Sequence, residues 1–165
     1  MKHVFFLAVL LVTLTTHAQD DIVKKGQALP AFAITSNTGN VIDAASSKHK
    51  VVLLNFFATW CGPRLTELPI LQAKIWEKYK NKKNFTLLVI GRDHSDAEIQ
   101  TFKERSKFDL PMFPDKDKVI YALFATKYIP RNYLIDKDGK VVYLSTGYEE
   151  KEFAAMAKKL DEILK

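Results

Sequence analysis

The chain reads as an α/β fold with a mixed central β-sheet, helices on both faces and an N-terminal β-hairpin. Apolar runs of strand character, Val51 to Ala58 and Phe85 to Ile90, alternate with stretches whose apolar residues recur at helical spacing. Strands joined through helices run parallel. Asp136-Lys137-Asp138-Gly139 supplies a tight turn between Tyr133-Leu134-Ile135 and Lys140 to Leu144, so the last two strands run antiparallel. Asn37-Thr38-Gly39-Asn40 is turn chemistry between Phe32-Ala33-Ile34 and Val41-Ile42, which predicts the hairpin.

The elements follow in order. Pro30 holds Gly26 to Ile34 extended, and Lys48-His49-Lys50 is a polar loop feeding the central strand. That strand is apolar throughout and reads as buried on both faces. Leu68, Leu71, Ile75 and Tyr79, widened by Trp76, predict a first helix from about Gly62 to Lys80, kinked by Pro69 near its start. Phe85 to Ile90 is the next strand, closed by Gly91. Ser95 caps a second helix that turns Ile99 and Phe102 inward, and Leu110 to Pro114 is a short extended link. Val119, Ile120, Leu123 and Phe124 mark a third helix. A last helix from about Glu149 buries Phe153, Met156, Leu160 and Ile163 or Leu164.

At 165 residues, 47% hydrophobic and 27% charged, the composition suits one globular domain. The N-terminus stands apart from it. Met1-Lys2-His3 is a basic start, Val4 to Leu14 a mostly apolar core, and Thr16-His17-Ala18 ends on a small residue: residues 1–18 read as a signal peptide cleaved after Ala18. The apolar core is shorter than the about 20 residues of a spanning helix, and no cysteine follows the cleavage point, so neither a membrane anchor nor a lipid anchor is expected. Residues 19–25 read as a flexible lead-in and 26–165 as the domain, in a periplasmic or extracellular protein. Loss of Lys2 with the signal peptide lowers the formal charge from +6 to +5. The lysines are dispersed and not interleaved with exposed aromatics, which argues against nucleic-acid binding.

Cys61 is the only cysteine, so it forms no internal disulfide; it is either inert or reacts with something outside the chain. It falls at a strand-to-helix junction, where unpaired helix N–H groups and the positive end of the macrodipole favour a thiolate. Beyond the signal peptide only His49 and His94 remain, distant in sequence and without a cysteine cluster. Each reads as a surface residue, and no metal is expected. The absence of a glycine-rich phosphate loop argues against a nucleotide cofactor, and no other cofactor is implied.

Phe57-Ala58-Thr59-Trp60-Cys61-Gly62-Pro63 resembles the active-site lead-in of the thioredoxin superfamily. More narrowly it resembles the secreted thiol–disulfide oxidoreductases of the TlpA and ResA type, related to the AhpC/TSA group. Leu29-Pro30-Ala31-Phe32, Glu67-Leu68-Pro69 and Tyr133 to Lys140 match further segments in the same order. The resemblance implies a thioredoxin-like fold and a site in which Pro130 is a cis-proline facing the cysteine. Trp60, Gly62, Pro63, Ile129, Pro130 and Arg131 would then border a client peptide, and Glu67 would be the acidic residue that modulates the thiol. Arg64 stands where the family has its second cysteine. Residues three apart share a helix face, so Arg64 is expected to turn a cation towards Cys61 and lower its pKa. Glu67 can blunt that effect by pairing with Arg64, and Arg131 is expected to add a second positive charge.

An autonomous dithiol cycle is excluded by residue count. Cys61 can attack a disulfide, but no second thiol in the chain can release the product. The first reading is therefore a monothiol redox protein whose partners are client protein or peptide thiols and disulfides, restored by an external reductant or resolving thiol. The alternative is a thioredoxin-fold module that binds a peptide without catalysis. A one-cysteine peroxidase fits less well: where peroxiredoxins carry proline and threonine or serine ahead of the cysteine, this chain has Leu54 and Ala58.

Overall fold

The computed structural model describes residues 20–35, 39, 41–43, 47, 49–60 and 63–165, and of residues 63–65 the backbone alone. The expected signal peptide lies outside the described residues. Strands β1 (Ala33–Thr35) and β2 (Val41–Asp43) form the expected hairpin, antiparallel with Ile34 opposite Ile42. Strand β3 (Val51–Phe57) is followed by helix α1 (Pro63–Leu71), which continues as a π-helical segment (Gln72–Trp76) and a last turn, α2 (Glu77–Tyr79). Next come β4 (Phe85–Arg92), α3 (Asp96–Ser106), β5 (Met112–Asp115), α4 (Tyr121–Phe124), β6 (Arg131–Ile135), β7 (Val141–Thr146) and α5 (Glu150–Ile163). The main sheet has the order β5-β4-β3-β6-β7, with β3, β4 and β5 parallel and β6 and β7 antiparallel to their neighbours.

Every residue of β3 is buried, and strand alternation divides the core in two. Val51, Leu53 and Phe57 join Leu87 and Val89 of β4 and Leu134 of β6 on one face. They pack under Leu68, Leu71 and Ile75 of the first helix, Ile99 and Phe102 of α3, and Phe153, Met156 and Leu160 of α5. Val52, Leu54 and Phe56 face the other way, towards Val23, Ile34, Tyr121 and Phe124. There Phe56 packs nearly edge-on against Tyr121, with centroids 5.2 Å apart, and Phe124 lies 5.0 Å from Tyr133.

Several elements depart from the sequence expectation. The first helix is not simply kinked at Pro69: its ladder widens after it, and the Glu77 N–H donates to the Gln72 carbonyl, five residues back. Gly91 does not close β4 but lies within it. A Cβ there would come within 2.3 Å of Ile99 Cδ1, so its absence lets α3 lie close over the sheet. The link around Leu110 to Pro114 contains the edge strand β5, where Pro114 is tolerated because an edge leaves one row of N–H groups unpaired. The third helix is a single turn, and Val119 is 66% exposed. The Asp115 carboxylate accepts the N–H groups of Ile120 (3.1 Å) and Tyr121 (2.8 Å), a phase that buries Tyr121 and Phe124 and turns Val119 and Leu123 out.

The lead-in is also bonded into the domain. Asp21 bridges to Ala125, the N–H groups of Ile22 and Val23 donate to the Phe124 carbonyl, and Thr126 N–H donates to Asp20. The Asp21 carboxylate pairs with the Arg131 guanidinium and accepts the Tyr133 hydroxyl at 2.8 Å. Burial, reinforced by Asp21, holds the Tyr133 phenol well above its ordinary range, so it remains a donor. Arg131 is 1% exposed and Asp21 20%. Asp21→Ala leaves a buried guanidinium without its countercharge and should cost about 2–4 kcal/mol in chemical denaturation, less than a fully buried pair because Asp21 is partly wet. A loss under about 1 kcal/mol would show that the carbonyls around Arg131 suffice.

Candidate active site

The site is built where β3 leaves the sheet. Its register with β4 ends at Phe57 opposite Gly91, and α1 begins at Pro63, so Cys61 belongs to the connection between them. Cys61 and Gly62 lie outside the described residues, as do the side chains of Pro63 and Arg64; the expected approach of Arg64 to the sulfur, and its pairing with Glu67, fall there. Trp60 is described and is 64% exposed. Proline at the first helical position is favourable, since its missing N–H has no partner in the first turn.

The antiparallel register of β6 brings the second half of the site to the same end of the sheet. Arg131 lies opposite Phe56, and continuing the register by one residue sets Pro130 beside Phe57, where β3 leaves. The Ile129–Pro130 peptide is cis, as the resemblance implied. Pro130 is buried, Ile129 is half-buried, and the Pro130 carbonyl accepts the Gly147 N–H at 2.8 Å.

Arg131 does not play the expected part. Alternation turns its side chain to the face with Tyr133 and Phe56, away from α1. Besides Asp21 it donates to the Lys127 carbonyl (Nη2, 2.6 Å), the Tyr128 carbonyl (Nε, 3.1 Å) and Thr146 Oγ1 (3.0 Å). Its guanidinium is thus engaged in holding the loop before Pro130.

The next residue on β6 takes the opposite face and reaches α1. Asn132 Nδ2 donates to Glu67 Oε1 at 2.7 Å, Asn55 Nδ2 of β3 donates to Glu67 Oε2 at 3.2 Å, and Asn55 Nδ2 also donates to Asn132 Oδ1 at 2.8 Å. All three are buried. A carboxylate carried on the active-site helix is therefore held over the sheet by two carboxamides from adjacent strands. Sequence reading found Glu67 but missed both asparagines. The available signal was Asn55 in an otherwise apolar strand, which demands a buried polar partner. Glu67→Gln places an amide donor against donors in either orientation, and should lower stability by about 1–3 kcal/mol in denaturant titration. An unchanged midpoint would mean that the cluster rearranges freely.

His94 was also misread. It is 3% exposed, not a surface residue; the turn after β4, with Asp93 at φ +68°, drives it into the protein beside Phe57. Its Nε2 accepts the Thr59 backbone N–H at 2.9 Å. His49 is exposed as expected. Among the described residues no group of His, Cys, Asp and Glu is arranged to hold a metal ion, and no helix is long and apolar enough to cross a membrane.

Comparison with known proteins agrees with this geometry. The chain is 32% identical over 135 residues to thiol-disulfide oxidoreductase ResA of Bacillus thuringiensis (strain Al Hakam), covering 82% of this chain and 77% of that one. It is 29% identical over 152 residues to thioredoxin-like protein YneN of Bacillus subtilis (strain 168), covering 88% and 85%. Among solved structures, a candidate protein disulfide isomerase from Bacteroides thetaiotaomicron superposes with a TM-score of 0.84 at 35% identity, over 88% of this chain and 92% of that one. Residues 24–164 match the Redoxin family, and with the thioredoxin-like sheet and the cis-proline beside the end of β3, the chain belongs to that family.

Proposed function

We propose that the protein is a monothiol redox protein of the cell envelope, in which Cys61 exchanges with thiols and disulfides of client proteins. What supports the reading is a single cysteine in the connection between β3 and α1 together with a buried proline immediately before β6, the strand beside β3, in a Redoxin-family chain with thiol-disulfide oxidoreductases among its relatives. The Cys61 thiolate attacks a client disulfide sulfur. One S–S bond forms, the client S–S bond breaks, and the released client thiolate takes a proton from solvent. With Arg64 in place of a second thiol, an external thiolate must attack the mixed disulfide, returning Cys61 and carrying the new S–S bond away. In the parallel route the Cys61 thiolate attacks a peroxide oxygen, breaking the O–O bond and releasing the other oxygen as water or alcohol, to leave a sulfenic acid; one external thiol condenses with it, losing water, and a second releases Cys61 from the resulting mixed disulfide.

Glu67 and Arg64 are the groups that tune the thiol, the one held over the sheet by Asn55 and Asn132, the other three residues beyond the sulfur. Trp60, Gly62, Pro63, Ile129 and Pro130 border the client. Residues 1–18 direct the chain across the membrane and are removed. The competing reading, a client-binding module without thiol chemistry, draws on the exposure of Trp60 at the same edge.

Alkylation of Cys61 followed against pH separates the two: an activated thiol shows its inflection below the ordinary value of about 8.5, an inert one at or above it. Mixed disulfides trapped from an envelope extract should disappear in Cys61→Ser, and persistence of partner capture in that variant would favour the binding module. Arg64→Cys should introduce insulin reduction where the natural chain shows little, because the resolving thiol would be the one part restored.

A further inference from the structure

The buried histidine after β4 is not accounted for by packing. A neutral imidazole has one acceptor nitrogen and one donor. Because the Thr59 backbone N–H donates to Nε2 at 2.9 Å, the ring proton resides on Nδ1. That Nδ1–H is buried and has no hydrogen-bond partner among the described residues. An apolar side chain would fill the same space beside Phe57 without burying an unpaired donor. What histidine adds is the acceptor, and the acceptor is spent on Thr59.

The place of that bond gives it meaning. Through Phe57 the β3 backbone is paired with β4; one residue further on, the chain leaves the sheet towards Trp60 and Cys61. His94 is itself tethered to the last paired residue, its N–H donating to the Gly91 carbonyl at 3.2 Å. The imidazole therefore continues the sheet's hydrogen bonding by one side chain, on the backbone that begins the thiol connection. The Thr59 hydroxyl lies 2.8 Å from the same Nε2.

We propose that His94 is a positioning residue for the thiol site: its neutral Nε2, by accepting the Thr59 N–H, sets the turn that presents Trp60 and Cys61. The proposal rests on the thiol reading of Cys61.

The test compares His94→Gln, whose side-chain oxygen can still accept from Thr59, with His94→Leu, which fills the space and cannot. The probe is iodoacetamide alkylation of Cys61 across pH, with denaturation of both variants as a check on folding. His94→Leu should slow alkylation about three- to tenfold while remaining folded, and His94→Gln should recover part of that loss. Equal loss in both variants, or no loss in a folded His94→Leu, would overturn the proposal. If His94→Leu does not fold, nitrogen NMR of the natural chain decides: a proton on Nε2 at neutral pH overturns it, and one on Nδ1 with slow Thr59 amide exchange upholds it. These two readouts report on the His94–Thr59 bond even if Cys61 proves as unreactive as a free thiol, an outcome that would instead remove the redox reading.

Discussion

The fold depends on one strand that no solvent reaches. Because β3 is covered on both faces and paired on both edges, each of its side chains is committed to one of two cores, and slipping its register by one residue would exchange them. The same constraint aims its one polar member. Asn55 shares a face with Leu53 and Phe57, the face covered by α1, so it meets the active-site helix where Glu67 projects inward.

Burying a carboxylate is unfavourable unless its oxygens are satisfied, and two carboxamides from neighbouring strands do so here. The arrangement ties the helix that follows Cys61 to the two strands at the centre of the sheet. On the opposite face a second buried polar group, Arg131, ties the loop before Pro130 to the N-terminal segment through Asp21. Consecutive residues of β6, Arg131 and Asn132, thus secure the two halves of the site from opposite sides.

With one cysteine, the chain lacks the second thiol that a self-contained dithiol cycle needs. Its scaffold is shared with thiol-disulfide oxidoreductases, and on the proposed reading Arg64 in place of a second thiol makes turnover depend on another molecule. On that same reading, a thiol that cannot resolve its own product favours long-lived mixed disulfides, suited to capture and transfer as much as to reduction.

The element order was legible in the sequence because hydrophobic periodicity and turn chemistry are local: the hairpin, β3, the Ser95 cap and the Asp136 to Gly139 turn all stand where such signals put them. The candidate residues Cys61, Arg64 and Glu67 stood out because the motif around them is contiguous. Tertiary structure alone decided which way single residues face. Arg131 reads as a site cation from its neighbour Pro130, yet strand alternation sends it to the far face. Asn132, one residue on, reaches Glu67 across 65 positions of chain. His94 and Asp21 reveal nothing in sequence because their partners, Thr59 and Arg131, are brought to them only when the sheet closes. The sequence by itself determined the order of the elements and the one thiol the chain carries; the structure decided which buried polar groups hold the strands and the helix that flank it, because such pairings depend on through-space distance and not on spacing along the chain.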